Sequence, residues 1–213
     1  MEASAARAER PDGAPTEPTP LARADRRTTL LEAAAELVAD GDVDAVSMES
    51  VAERAGVSRA LVYKHFANRS DLLSALYERE SAVLHAHLAG AVQGATSLSA
   101  MLRALIRGAL SAQASRGATL AALASGGGRS PAHREVQRRR DRQTVRYFTR
   151  QAVHELGLEE ADARAALGIV LGSIPVVLAQ WRANPTPAQA ARLEDAYVAV
   201  AMGGLTGMGR PAP

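Results

Sequence analysis

Apolar residues recur at three- and four-residue intervals along most of the chain, and no segment sustains a period-two alternation. Leu30, Leu31, Ala34, Leu37 and Val38 open the pattern; Leu193, Ala196, Tyr197, Val200, Ala201 and Leu205 close it. Side chains three or four apart share one face of an α-helix, whereas a half-buried strand hides every second residue. The expectation is an all-α protein. Hydrophobic residues make up 47% of the chain but aromatics only 3%, and a core of Ala, Leu and Val suits helices whose backbones approach closely. With 213 residues there is room for one or two domains and a sizeable core.

Several classes are set aside by what is missing. The absence of cysteine removes disulfides and thiolate metal sites. His85 and His87 are two apart, about 200° around a helix, so they cannot hold a metal from one face. His133 and His154 are isolated. Without a Gly-rich phosphate loop or a nucleophile elbow, neither an enzyme nor a cofactor or metal is expected. Met1 to Pro20 lacks the apolar core of a signal peptide. The longest apolar run, Ala165 to Gln180, carries Ser173 and Pro175 between Arg164 and Arg182. It reads as short of the roughly 18 to 20 clean apolar residues of a membrane span, hence as a buried helix of a cytoplasmic protein. Net charge is +2 and the pI about 9.4, compatible with a polyanionic partner without demanding one.

Punctuation divides the chain. Residues 1–22, with Pro11, Pro15, Pro18 and Pro20, show no apolar periodicity and read as a disordered tail. Residues 23–69 form a small helical unit and 70–208 a larger helical body. The first helix is expected from near Asp25 to a stop at Gly41. Ser47 caps Met48 to Arg54, Ser58 caps a helix to about Phe66, and Asn68 opens a long helix with Leu72, Leu73, Leu76, Val83, Leu84 and Leu88 inward. Further helices are expected near 99–115, 118–124, 132–156, 160–183 and 187–205. Pro175 should kink the fourth, and Thr186-Pro187 is a start signal for the last. Ser125-Gly126-Gly127-Gly128 and Asn184-Pro185 are breaks.

Within the small unit, Val51 to Leu73 reads VAERAGVSRALVYKHFANRSDLL. Two short helices meet at Ala55-Gly56-Val57-Ser58, a helix-turn-helix pattern whose second helix fits the DNA major groove. If Val62 and Phe66 face the core, then Ala60, Leu61, Tyr63 and Lys64 point away, flanked by Arg59 and His65. Arg59 has the fork to read a guanine edge or grip phosphate, and Lys64 is a point charge suited to either. Tyr63 and His65 have donors for phosphate oxygens. Ala60 lets the backbone come close, and Leu61 has the shape for a thymine methyl. Asn68 and Arg69 stand at a helix start, where free amides favour an anion. From Arg23 to Arg69 acids outnumber bases eight to seven, so the positive patch is local and specific contacts carry more of the affinity.

Leu30 to Leu73 resembles the DNA-binding domain of the TetR family of transcriptional regulators. The resemblance rests on the Ala-rich first helix, Ser47-Met48 before Val51-Ala52, Ala55-Gly56-Val57-Ser58, Tyr63-Lys64-His65-Phe66, and Asn68-Arg69 before Leu72-Leu73. Asp42 stands where such proteins usually have glycine, with Gly41 one place early, and Leu61 where threonine is frequent. The resemblance implies that the helix from Ser58 reads a double-stranded DNA operator, with Tyr63, His65 and Arg69 toward phosphates. It also implies a homodimer whose body answers a small-molecule effector, most simply a repressor released from a palindromic site. The last two long helices would pair with their copies through Gly168, Leu171, Gly172, Tyr197 and Val200. For an effector pocket, Tyr147, Gln151 and Trp181 are the candidates. Arg134, Arg138, Arg139, Arg140, Arg142, Arg146 and Arg150 crowd one helix, either as a solvated face or to meet an anionic ligand or acidic surface. The reading from a different class is a helical interaction or ligand-binding module that does not act on DNA.

Overall fold

The structure is a computed structural model that describes residues 20–40, 43–124 and 131–209. Among them it is all-helical: α1 (Pro20–Ala39), a 3-10 turn (Val43–Ala45), α2 (Met48–Arg54), α3 (Arg59–His65), α4 (Arg69–Gln93), α5 (Leu98–Leu123), α6 (Pro131–Leu156), α7 (Glu160–Gly172), α8 (Ile174–Ala183) and α9 (Pro187–Met208). The expected stop at Gly41, the Asp42 departure and the Ser125–Gly128 break lie outside the described residues.

Two apolar cores divide the molecule. The smaller gathers Leu30, Ala34, Val46, Val51, Val62, Phe66, Leu72 and Leu76 from α1 to the first half of α4. The larger gathers Val92, Leu98, Leu102, Ile106, Phe148, Leu167, Tyr197 and Leu205 from the end of α4 to α9. Long α4 belongs to both. So does α5: Leu105 and Ile106 lie in the body core, but Leu123 at its far end is fully buried in the small one. A single rod of 26 residues, about 39 Å at 1.5 Å per residue, thus plugs the body into the N-terminal unit.

Five expectations change. The tail was expected to reach residue 22, yet Pro20 to Ala22 are already helical; proline is tolerated in a first turn, where its missing N–H has no bond to make. Residues 99–115 and 118–124 form one helix, because Gly117 sits buried inside α5 instead of ending it. Val83 is exposed, on the outer side of α4. The single helix expected over 160–183 is two: α7 ends at Gly172, and α8 restarts with Pro175 in its first turn. Proline has no N–H to give the carbonyl one turn back, so the break falls before it. Finally, 160–183 is long and apolar enough, by length and composition, to cross a membrane, and only 11% of its most apolar stretch is buried. The expectation of a short, buried helix fails because part of its apolar surface faces outward: Ile169 is 75% exposed and Val176 58%.

Candidate nucleic-acid interface and body cavity

Local chemistry shapes the α2–α3 corner. The Ser47 hydroxyl accepts from Ser50 N at 3.0 Å while Ser50 Oγ accepts from Ser47 N at 2.9 Å, a reciprocal cap on α2. At the other end Gly56 has φ +65°, the left-handed region that costs an L side chain about 1–2 kcal/mol. Gly56 N donates to Glu53 O and Val57 N to Ala52 O, the paired bonds of a Schellman stop. The chain reverses there, and Ser58 caps α3 by accepting from Leu61 N.

Helix α3 is clamped on one side only. Val62 and Phe66 are 0% and 1% exposed, and the Arg27 guanidinium lies 4.9 Å from the Phe66 ring centre. Opposite them, Arg59, Ala60, Tyr63 and Lys64 are exposed, while Leu61 and His65 are half-buried. Ser58 and Asn68 are exposed as well, but both side chains serve as helix caps; Asn68 Oδ1 accepts from Asp71 N at 3.0 Å. In return Asp71 Oδ2 accepts from Ala67 N.

Ion pairs within the N-terminal unit engage much of its excess acid. Arg54 holds Glu36 on α1 and Asp40 just past its end, at 3.3 and 2.9 Å, and Arg79 holds Glu32. These carboxylates are neutralised in pairs that tie α1 to α2 and α4. Arg59 pairs with Glu49; both are well exposed, so the pair holds Arg59 only weakly. Lys64 has no carboxylate within ion-pair distance among the described residues. Arg69 has a different job from the expected one. Its guanidinium donates to Val46 O and Val43 O, each at 2.7 Å, and pairs with Asp44. It braces the loop before α2, so its donors are engaged by its own chain.

The body contains a cavity of about 990 Å³ between α4, α5, α6 and the α7–α8 corner. Val92, Leu105 and Phe148 form its buried floor, and Arg140, Asp141, Gln143 and Arg150 stand on the α6 side. Of the effector candidates, Tyr147 lines this space; Gln151 instead reaches Glu155 at 3.4 Å, and Trp181 packs against the body core. The expected dimer residues divide. Gly168, Leu171 and Gly172 border the cavity, Val200 is 76% exposed, and Tyr197 is buried. The Tyr197 hydroxyl donates to Val170 O across the α7–α9 contact at 3.2 Å, and burial pushes its pKa up. A side chain so placed cannot meet a second copy, and the Tyr197 expectation is withdrawn.

Sequence reasoning missed Glu194. Buried on α9, it receives Arg107 through two bonds at 3.0 and 2.7 Å and Arg103 at 2.9 Å. The bonds from Arg107, together with Arg103, hold its carboxyl below the usual range against the opposing effect of burial. Arg103 also takes Asp195 at 2.7 Å. Arg103 and Arg107 are i, i+4 on α5, the signal that could have been read; their partners lie far off in the sequence.

A helix-turn-helix unit carried on an all-helical body is the class of protein these elements define. Residues 30–76 match the profile of bacterial regulatory proteins, tetR family, and the N-terminal domain belongs to that family. A curated relative, the HTH-type transcriptional activator FasR of Mycolicibacterium smegmatis, is 39% identical over 70 residues, 33% of this chain and 32% of its own length. The match therefore spans about a third of that relative. A transcriptional regulator from Rhodococcus sp. Rha1 superposes with a TM-score of 0.66 at 20% identity, covering 87% of this chain and 99% of its own. A TetR-like transcriptional regulator from Rhodococcus sp. RHA1 gives 0.61 at 20%, covering 85% and 96%. The likeness extends beyond the N-terminal unit into the body, so the described helices as a set share the fold of these regulators.

Proposed function

We propose that the protein is a dimeric, DNA-binding transcriptional regulator that represses from a near-palindromic operator and is released by a small molecule in the body cavity. The observation that carries this reading is α3: anchored by Val62 and Phe66, it offers Arg59, Ala60, Tyr63 and Lys64 to the outside. An exposed helix face of this kind fits the major groove, where each base pair has its own donor and acceptor pattern. Tyr63 and Lys64 suit phosphate, Arg59 suits guanine or phosphate once it leaves Glu49, and the free amides at the start of α4 suit phosphate.

Dimerisation is supported by the outer face of α7, α8 and α9. Ile169, Val176, Val200 and Met208 are exposed there. A Cβ added at Gly203, Gly204 or Gly207 would meet nothing within 4 Å. Glycines that nothing in their own chain crowds, beside bare apolar side chains, suit a second backbone packing closely, and the same surface explains why 160–183 is apolar yet uncovered. Two recognition helices would then enter successive major grooves, about 34–36 Å apart.

Effector control would run through α4 and α5, which wall the cavity and also enter the N-terminal core. The ligand must bind one spacing of the recognition helices better than the other, since equal affinity shifts nothing. A second reading, activation, is favoured by the FasR relative, a transcriptional activator. Selecting genomic fragments on the purified protein tests the main reading. Enrichment of a two-fold symmetric site supports it; no enriched sequence sinks it. Deleting the protein then separates the outputs, because the neighbouring transcript rises for a repressor and falls for an activator.

A further inference from the structure

The arginine-rich helix α6 divides into two populations. Arg138 and Arg142 are satisfied on the helix surface by Glu135, at 2.9 and 3.2 Å. Arg140 and Arg150 instead line the body cavity, and among the described residues neither has a carboxylate within ion-pair distance. Their settings differ. Arg140 is half-buried; Arg150 is exposed, its guanidinium 6.0 Å from the Tyr147 ring centre.

One acid, Asp141, also borders this space, but no ion pair joins it to Arg140. His85 Nδ1 lies 2.6 Å from Ser81 O; a carbonyl only accepts, so Nδ1 carries the proton and Nε2 is the acceptor. Gln137 Nε2 is 3.2 Å from that Nε2 and donates to Asp141 Oδ1 at 2.9 Å. The amide therefore spans His85 and Asp141, the carboxylate accepting from Gln137 and not from Arg140. What remains is a half-buried guanidinium above an apolar floor of Val92, Leu105 and Phe148. A cation partly removed from water without a counter-charge favours an anion that brings its own hydrogen-bond acceptors.

We propose that the cavity takes an amphipathic organic anion, its apolar body on Val92, Leu105 and Phe148 and its carboxylate or phosphate head on Arg140. This deepens the effector reading above and rests on the same cavity. At about 990 Å³ the space is at the upper end for small-molecule pockets, so a long apolar body fits and a bare inorganic anion would leave the floor unused.

The test is calorimetric titration of the full chain with dodecanoate, dodecyl phosphate and dodecanol, each below its aggregation concentration. At least one anion binds more tightly than the neutral alcohol by about tenfold or more, the scale of a charge-assisted hydrogen bond. Whichever anion is tighter identifies the head group. Arg140→Gln abolishes the preference while leaving dodecanol affinity within about twofold, a check that the cavity still folds. Arg150→Gln removes the same charge from an exposed position and keeps the preference. Equal affinity for acid and alcohol, no binding by any of the three, a preference that survives Arg140→Gln, or an equal loss in Arg150→Gln overturns the proposal. Operator retention without ligand is measured separately. Its failure removes the regulator reading and leaves the anion site standing, and the reverse result does the opposite.

Discussion

The N-terminal unit and the body are both helical and rich in alanine, yet they are finished to different degrees. In the N-terminal unit, α2, α3 and α4 start on Ser47, Ser58 and Asn68, each accepting from a backbone amide of the first turn. Its core is closed, and its exposed apolar surface is small. The body is left open. Ile169, Val176 and Val200 face outward, a row of glycines meets nothing, and a large cavity separates α6 from α4. Local bonds specify a unit that presents one rigid outer face. The body instead keeps apolar surface and open space in reserve. The difference teaches that the N-terminal end is closed by its own short-range contacts, whereas the body leaves surface that its own chain does not cover.

Leu123 is where the two regions are joined, and removing it breaks the comparison most severely. Leu123→Ala should cost about 2–5 kcal/mol and, unlike a change at the body floor, should loosen amide-exchange protection in α1 and α2. Equal loosening of both regions would mean that α5 is not a plug in the smaller core. Next in size, Tyr63→Ala with Lys64→Ala should weaken operator binding about a hundredfold, from about 1–3 kcal/mol at each contact, with helicity and self-association unchanged. A fluorescence anisotropy titration checks it, and intact affinity would remove α3 as the reading element.

Smaller effects sharpen the same contrast. Gly56→Ala introduces no clash, since nothing lies within 4 Å of a Cβ there. Its whole cost should be backbone strain of about 1–2 kcal/mol, measured by urea unfolding. Gly204→Ala, in the body, should leave a dilute monomer no less stable and act on self-association instead, seen by sedimentation. Glu194 offers the mildest handle. Its carboxyl is held low by Arg107 and Arg103, so its contribution is present above the unfolded glutamate pKa of about 4.3 and fades as pH falls through the lower folded value. Melting curves of the wild type should therefore lose their margin over Glu194→Gln only in acid. A margin constant across that range would mean the charge is not what joins α5 to α9.

Relatively little of the cavity could be read in advance. Tyr147, Gln151 and Trp181 are all picked for polar or aromatic type. Tyr147 lines the cavity, whereas the turn of α6 carries Gln151 to Glu155 and Trp181 packs against the body core. Arg69 shows the same limit in the better-read region. Its position at the start of α4 was clear, but whether its guanidinium meets a phosphate or its own chain depends on carbonyls at Val43 and Val46, which lie in a different part of the sequence.

What the sequence determined by itself is whatever is governed within one or two turns of chain: helical class, the caps at Ser47, Ser58, Asn68 and Thr186, the left-handed corner at Gly56, and the inward pair Val62 and Phe66. Each depends on backbone geometry and on spacings of three or four residues. Tertiary structure decided what depends on distance in space: α5 reaching into the N-terminal core, Glu194 receiving two arginines from α5, Tyr197 turning inward, and Arg140 left half-buried without a carboxylate. Such contacts join residues tens of positions apart, and no local rule fixes which of them will meet.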